Sequence, residues 1–303
     1  MGKIRNFIPG LIDGPSLGMS LPLRTLQHQV ALVRREPWMA ALLLVTTGAV
    51  IAFGAQHDRL VKSIAYVLAM GIGAFIVDLF GQWKAANAEL PVRQPGREAI
   101  IVLVCIALGY LTLFLRFAIL DWEHVPGLVR LVILPLFGFV FPVFIALIML
   151  RLKYKPRDLG FSFGASSLMA LPILLLTAGT AFLIARQDFT FGAILAEEGW
   201  IGLLIMGFLS AGLPEEFSRM LLQTRLGAWM KSPAMGLFVA TVLWAFMHAP
   251  KWIGEGEDLY EGVMSSVRII PLGLLWGYMT HRTKSILPAV FVHGLNVWGL
   301  QNF

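Results

Sequence analysis

The chain has 303 residues, 57% of them hydrophobic and only 14% charged, with a mean hydropathy of +0.76. A soluble domain usually carries about 25% charged residues; a water-exposed globule is excluded, because its core could not take up this apolar mass, whereas lipid can. A single cysteine, Cys105, rules out a disulfide framework and a cysteine metal site. The excess of 24 Lys and Arg over 18 Asp and Glu is accounted for by membrane orientation, so nucleic acid is not expected as a partner.

Residues 1–36 hold Lys3, Arg5, Arg24, Arg34 and Arg35 among Pro9, Pro15 and Pro22, with no clean apolar core ahead of a small-residue cleavage site. They are predicted to form a polar, partly amphipathic arm on the membrane surface. A helical span needs about 20 mostly apolar residues. Spans are predicted from Met39 to Gln56, Val61 to Gln82, Ala99 to Leu120, Leu128 to Leu150 and Ser166 to Ala185. Shorter ones follow from Gly199 to Leu222, Met235 to His248, Arg268 to Met279 and Ile286 to Leu300. The fold class is therefore all-α, a polytopic membrane helical bundle of about eight to nine spans.

Loop charges give an orientation. One set of connections holds Arg24, Arg34 and Arg35; Lys84, Arg93 and Arg97; Arg151, Lys153, Lys155 and Arg157; Arg225 and Lys231; Arg282 and Lys284. The alternate set is mixed or acidic: Asp58, Arg59 and Lys62; Asp121, Glu123 and Arg130; Arg186, Asp188, Glu197 and Glu198; Glu255, Glu257, Asp258 and Glu261. Cytoplasmic loops carry the basic excess, which predicts a multi-pass protein of the cell membrane with its N-terminus in the cytoplasm.

Ionisable side chains at membrane depth are costly and mark function. Beyond Lys62 and Arg130 at span starts, the early spans hold Asp78 and Arg116, near span ends, where snorkelling or a structural pair accounts for them. The last hundred residues carry Glu215, Glu216 and Arg219 on one segment, His248 on the next, and His293 with Asn296 on the last. Residues three or four apart share a helix face, so Arg219 can neutralise one glutamate while the other faces a cavity. Such a carboxylate beside a histidine can act as a general base toward water. His293 and Asn296, one turn apart, can donate hydrogen bonds to a developing oxyanion. The same cluster suits a structural ion pair or a proton-coupled carrier, and Glu215, His248 and His293 could ligate a metal. No zinc-type His-Glu-x-x-His occurs, and Gly14-Pro-Ser16-Leu-Gly18 has no preceding strand to make it a nucleophile elbow.

At these residues the sequence resembles the CAAX protease and bacteriocin-processing family of membrane endopeptidases, over about Gly199 to Phe303. That family shows Glu-Glu-x-x-x-Arg, aromatic-x-x-x-His and His-x-x-x-Asn on successive helices. Trp244-Ala-Phe-Met-His248 fits the second motif, and the stretch from Pro271 to Asn296 is similar to the family's approach to the third. Glu215-Glu216-Phe-Ser-Arg219 and His293-Gly-Leu-Asn296 are each one residue shorter than the family spacing. If the glutamates set the register, Glu215 is the base and Glu216 the partner of Arg219; if Arg219 sets it, Glu215 is the partner. The resemblance implies a catalytic core at 191–303, behind N-terminal transmembrane helices at 37–190. It also implies a metal-independent peptidase without a cofactor, in which Glu215 and His248 activate water and His293 and Asn296 steady the oxyanion. Its substrate would be a membrane-associated protein or peptide precursor; an ion-coupled transporter or an inactive scaffold of the same fold is the alternative. The nine-span count carries one conflict: it sets Glu215 and His293 near the cytoplasmic side and His248 about 24 Å from the cytoplasmic end of its helix, unless that helix is kinked or starts late.

Overall fold

The computed structural model describes residues 21–81, 90–119, 126–186 and 189–301. The arm before Leu21 with its Gly14–Gly18 motif, Lys84, Asp121, Glu123 and Asp188 lie outside the described residues, as do the side chains of Arg116 and Arg130. The described chain is helical, without strands: α1 Leu21–Arg35, α2 Pro37–Gln56, α3 Leu60–Gly81, α4 Pro95–Ile119, α5 Gly127–Arg151 and α6 Ala170–Ile184. It continues with α7 Phe191–Leu203, a π-helical stretch Leu204–Gly212, α8 Leu213–Trp229, α9 Pro233–Phe246, α10 Ala249–Gly254, α11 Leu259–Thr283 and α12 Leu287–Val297. Among the described residues, five helical stretches are long and apolar enough to cross a membrane: Pro37–Gln56, Leu60–Phe80, Ser167–Ile184, Phe191–Trp229 and Pro233–Gly254. Val140–Arg151 and Leu287–Val297 are shorter apolar helices. Their outward faces are rich in exposed leucine, valine and phenylalanine, as lipid-facing helices require.

Within the predicted arm, α1 is a helix packed against α3, with Thr25 and His28 buried and Gln29 donating to Asp78 at 3.1 Å. Asp78 is fully buried and also accepts from Tyr278 at 2.6 Å and pairs with Arg282 at 2.9 Å. It is the structural pair allowed by the sequence. Several loop assignments change, since residues such as Arg97, Glu197, Glu198 and Glu261 lie inside helices. Arg225 lies inside α8, fully buried and paired with Glu98 of α4 at 3.2 Å. Arg282 lies in the last turn of α11.

The segment expected to end at Leu222 instead runs on to Trp229 as α8. Hydropathy places a boundary where polar residues begin, but Glu216, Arg219, Gln223 and Arg225 are all buried against neighbouring helices, so the backbone has no reason to leave the bundle. A short turn then reverses the chain, with Lys231 at φ 55° and Ser232 capping α9 through Met235 N–H. Glu215 is thus fourteen residues before Trp229 and His248 fifteen after Pro233, about 21 and 22 Å from the turn at 1.5 Å per residue. The apparent depth conflict between them disappears.

Two prolines shape the core. Pro214 stands in the first turn of α8, where its missing N–H is tolerated. Its ring would meet the carbonyl four residues earlier in a continuous α-helix; the chain is π-helical just before it, with Leu213 N–H bonded to Phe208 O. Pro271 lies inside α11, and there the Tyr66 hydroxyl enters the helix ladder, donating to Arg268 O at 2.9 Å and accepting from Leu272 N–H at 3.0 Å. One buried apolar cluster gathers Val50, Tyr66, Ile173, Trp244 and Trp276; a second gathers Val102, Ile145, Met149, Phe217 and Met220. The second lies against α8, and the first brings α9 and α11 together.

Candidate active site

Glu215 and Glu216 open α8, and consecutive helix positions point about 100° apart, so they take different surroundings. Glu216 is buried, and its Oε2 accepts from Arg219, three residues on. Arg219 also donates to the carbonyl of Gly273 at 2.8 Å, next to the Pro271 irregularity in α11. Its guanidinium lies over the rings of Trp244 and Trp276, at 5.0 and 5.7 Å from their centroids. The other oxygen of Glu216 meets His293 Nδ1 at 2.9 Å. A carboxylate only accepts, so His293 carries its proton on Nδ1 and turns Nε2 the other way.

Nε2 of His293 faces Glu215, 3.7 Å from Oε2. His248 Nε2 faces the same oxygen at the same distance, 3.7 Å. His248 Nδ1 is 3.0 Å from the Trp244 carbonyl, which fixes that nitrogen as the donor. The indole N–H of Trp244 donates directly to Glu215 Oε2 at 2.6 Å. Glu215 and His248 keep about a quarter of their side-chain surface accessible, while Glu216 and Arg219 are sealed at 1%. One glutamate is neutralised and closed. The other is open.

His293 is held as firmly as its partners. Trp276 stacks on its ring at 4.2 Å and 22°, and Trp244 meets it edge-on at 5.8 Å. Its helix α12 approaches the π-helical stretch at glycines. A methyl group on Gly294 would lie 2.7 Å from the Phe208 ring, and one on Gly212 would lie 2.8 Å from the Val290 carbonyl. No side chain fits between these backbones, and this contact carries His293 up to the two glutamates.

The structure therefore brings together Glu215, Glu216, Arg219, His248 and His293 from α8, the end of α9 and α12. Asn296, one turn beyond His293, is half-buried, and its side chain makes no hydrogen bond among the described residues. Trp244 and Trp276 are site residues that chemical reasoning from sequence did not assign. Tryptophan in an apolar helix reads as packing, and only the position of Trp244 four residues before His248 pointed to more.

Residues 197–299 match the family described as Rce1-like, type II CAAX prenyl endopeptidase Rce1-like. No curated protein and no solved structure matches the chain. The matched stretch contains all the polar residues that converge here. The C-terminal third of this chain, residues 197–299, is thus similar to the CAAX prenyl endopeptidase family and is set in a bundle of membrane-type helices.

Proposed function

We propose that the protein is a multi-pass cell-membrane endopeptidase that cleaves a protein or peptide precursor with water activated by Glu215, without a metal ion. The observation that carries this reading is the placement of two imidazole Nε2 atoms, each 3.7 Å from one oxygen of the open glutamate. A gap of 3.7 Å is too long for a direct hydrogen bond and suits a bridging water. Both histidines donate through Nδ1, so their neutral Nε2 atoms are acceptors. A water there gives one hydrogen to Glu215 Oε2 and the other to His248 Nε2, leaving a lone pair for a peptide carbonyl carbon.

As the water oxygen attacks, Glu215 takes its proton and the carbonyl oxygen becomes an oxyanion. Asn296 donates to that oxyanion, while His293, held through its Nδ1–H by the Glu216 carboxylate, keeps Nε2 turned toward Glu215 and the water. Glu215 then returns the proton to the leaving amine as the C–N bond breaks. Glu216 and Arg219 stay out of the proton transfers and hold His293 in place. The exposure of Glu215 and the sealing of Glu216 support the register with Glu215 as base. In this reading the N-terminus and the α8–α9 turn lie on the cytoplasmic side, which the basic connections support.

The test is cleavage by the purified protein in lipid nanodiscs, with new N-termini read from prenylated and unprenylated membrane-bound precursors. Glu215→Gln should lower kcat by about 10²- to 10⁴-fold, the range of a lost general base, with unchanged thermal unfolding. A chelator should leave the rate intact. Retained cleavage by Glu215→Gln would remove the glutamate from the chemistry, and loss of activity in chelator would assign a metal. Proton flux without any cleavage would favour the carrier.

A further inference from the structure

Trp244 touches three members of the site at once. Its indole N–H donates to Glu215 Oε2 at 2.6 Å, its carbonyl accepts from His248 Nδ1 at 3.0 Å, and its ring meets His293 edge-on at 5.8 Å. We infer that Trp244 is the positioning residue of the Glu215 base, fixing Oε2 between the two imidazoles by means of its N–H. The inference rests on the peptidase reading of the site.

Among the described residues, the indole is the only direct hydrogen-bond donor to the Glu215 carboxylate. The histidine nitrogens stand too far off to hold it. A glutamate side chain a quarter exposed would otherwise sample several rotamers, and only some of them put Oε2 beside both Nε2 atoms. The indole suits the task because it is a donor only. It can orient the carboxylate but cannot take the proton that Glu215 removes from water.

The ring is itself fixed. It is 5% exposed, lies under the Arg219 guanidinium at 5.0 Å and meets Trp276 at 5.8 Å. Its place against α11 exists because residue 273 is glycine: a Cβ there would lie 2.6 Å from ring atom Cζ3. Arg219 therefore serves both glutamates, by direct pairing with Glu216 and through the Trp244 ring for Glu215.

Two replacements at position 244 test this: Trp244→Phe, and 3-benzothienylalanine, which keeps the indole shape with sulfur in place of N–H. Each should lower kcat roughly 10- to 100-fold, the loss of one hydrogen bond to a charged group, with KM changed less than about twofold. Wild-type kcat in the benzothienyl protein, or a change confined to KM, would overturn the assignment. A second measurement needs no activity. With ¹⁵N-labelled tryptophan, the Trp244 indole signal, assigned by its loss in Trp244→Phe, should shift in Glu215→Ala. An unmoved signal would overturn the hydrogen bond. If no precursor is cleaved by the wild-type protein, the peptidase reading falls while the indole signal still decides the contact.

Discussion

Two arginines on α8 are buried and paired with glutamates, and they do different things. Arg225 bonds Glu98 of α4 at 3.2 Å, and Glu98 in turn accepts from the Tyr154 hydroxyl at 2.8 Å and the Gln94 N–H at 2.8 Å. Every group there is answered and nothing opens outward. Arg219 bonds Glu216, whose second oxygen holds His293, and His293 presents a free nitrogen to the accessible Glu215. Burial and pairing are the same in both places. What separates a strut from the proposed reactive centre is a neighbour left with an unused lone pair and a way in.

Substituting each glutamate tests that difference most severely. Glu98→Ala and Glu216→Ala each leave a buried arginine uncompensated, an expected loss of about 3–5 kcal/mol in unfolding experiments. The folded fraction of Glu98→Ala should keep kcat within about threefold, while Glu216→Ala, with His293 released, should lose at least about a hundredfold. Equal kcat losses in the two variants would erase the distinction. A smaller effect is expected at the glycine contact. Gly294→Ala drives a methyl into Phe208 and should cost about 1–3 kcal/mol with a measurable fall in kcat. Gly71→Ala on α3, where nothing lies within 4 Å, should leave kcat alone and raise stability by up to about 1 kcal/mol.

The smallest effect lies far from the site. In the α2–α3 turn, His57 donates to the Phe53 carbonyl at 2.9 Å and faces Glu261 of α11 at 3.1 Å. The Phe53 carbonyl, and then Glu261, raise this imidazole above its ordinary value. A raised folded value means the contribution is complete below about pH 6.5, the unfolded value, and fades as pH rises through the folded one. The unfolding temperature should therefore decline slightly on the alkaline side, and His57→Gln should flatten that slope.

Much of this was legible in the sequence. The spans now seen as α2, α3, α4 and α6 lie within a few residues of where apolar runs placed them, because lipid-facing helices must be apolar whatever they pack against. The end of the Glu215 segment was not legible. Hydropathy measures contact with lipid, and α8 beyond Phe217 can carry Arg219, Gln223 and Arg225 because protein covers them. The convergence of Glu215, Glu216, Arg219, His248 and His293 was readable, since an ionisable side chain at membrane depth is too costly to persist without a partner or a role. Which glutamate stays open was not, because the two alternatives differ by a rotation that only the packing of α11 and α12 settles. The tryptophans were hidden because the Trp244 N–H bond to Glu215 and the Trp276 stack on His293 both depend on partners from other helices.

The α8–α9 hairpin sets depth by counting from a shared bend. Glu215 and His248 hang about equally far from the Met230–Ser232 turn, like two marks on a folded ruler. Lengthening the bend would leave the marks level. One residue added to either limb would move its mark by about 1.5 Å and swing it by about 100°, out of line with the other. Evolutionary drift in length is therefore tolerable at the fold of the ruler and ruinous along its arms.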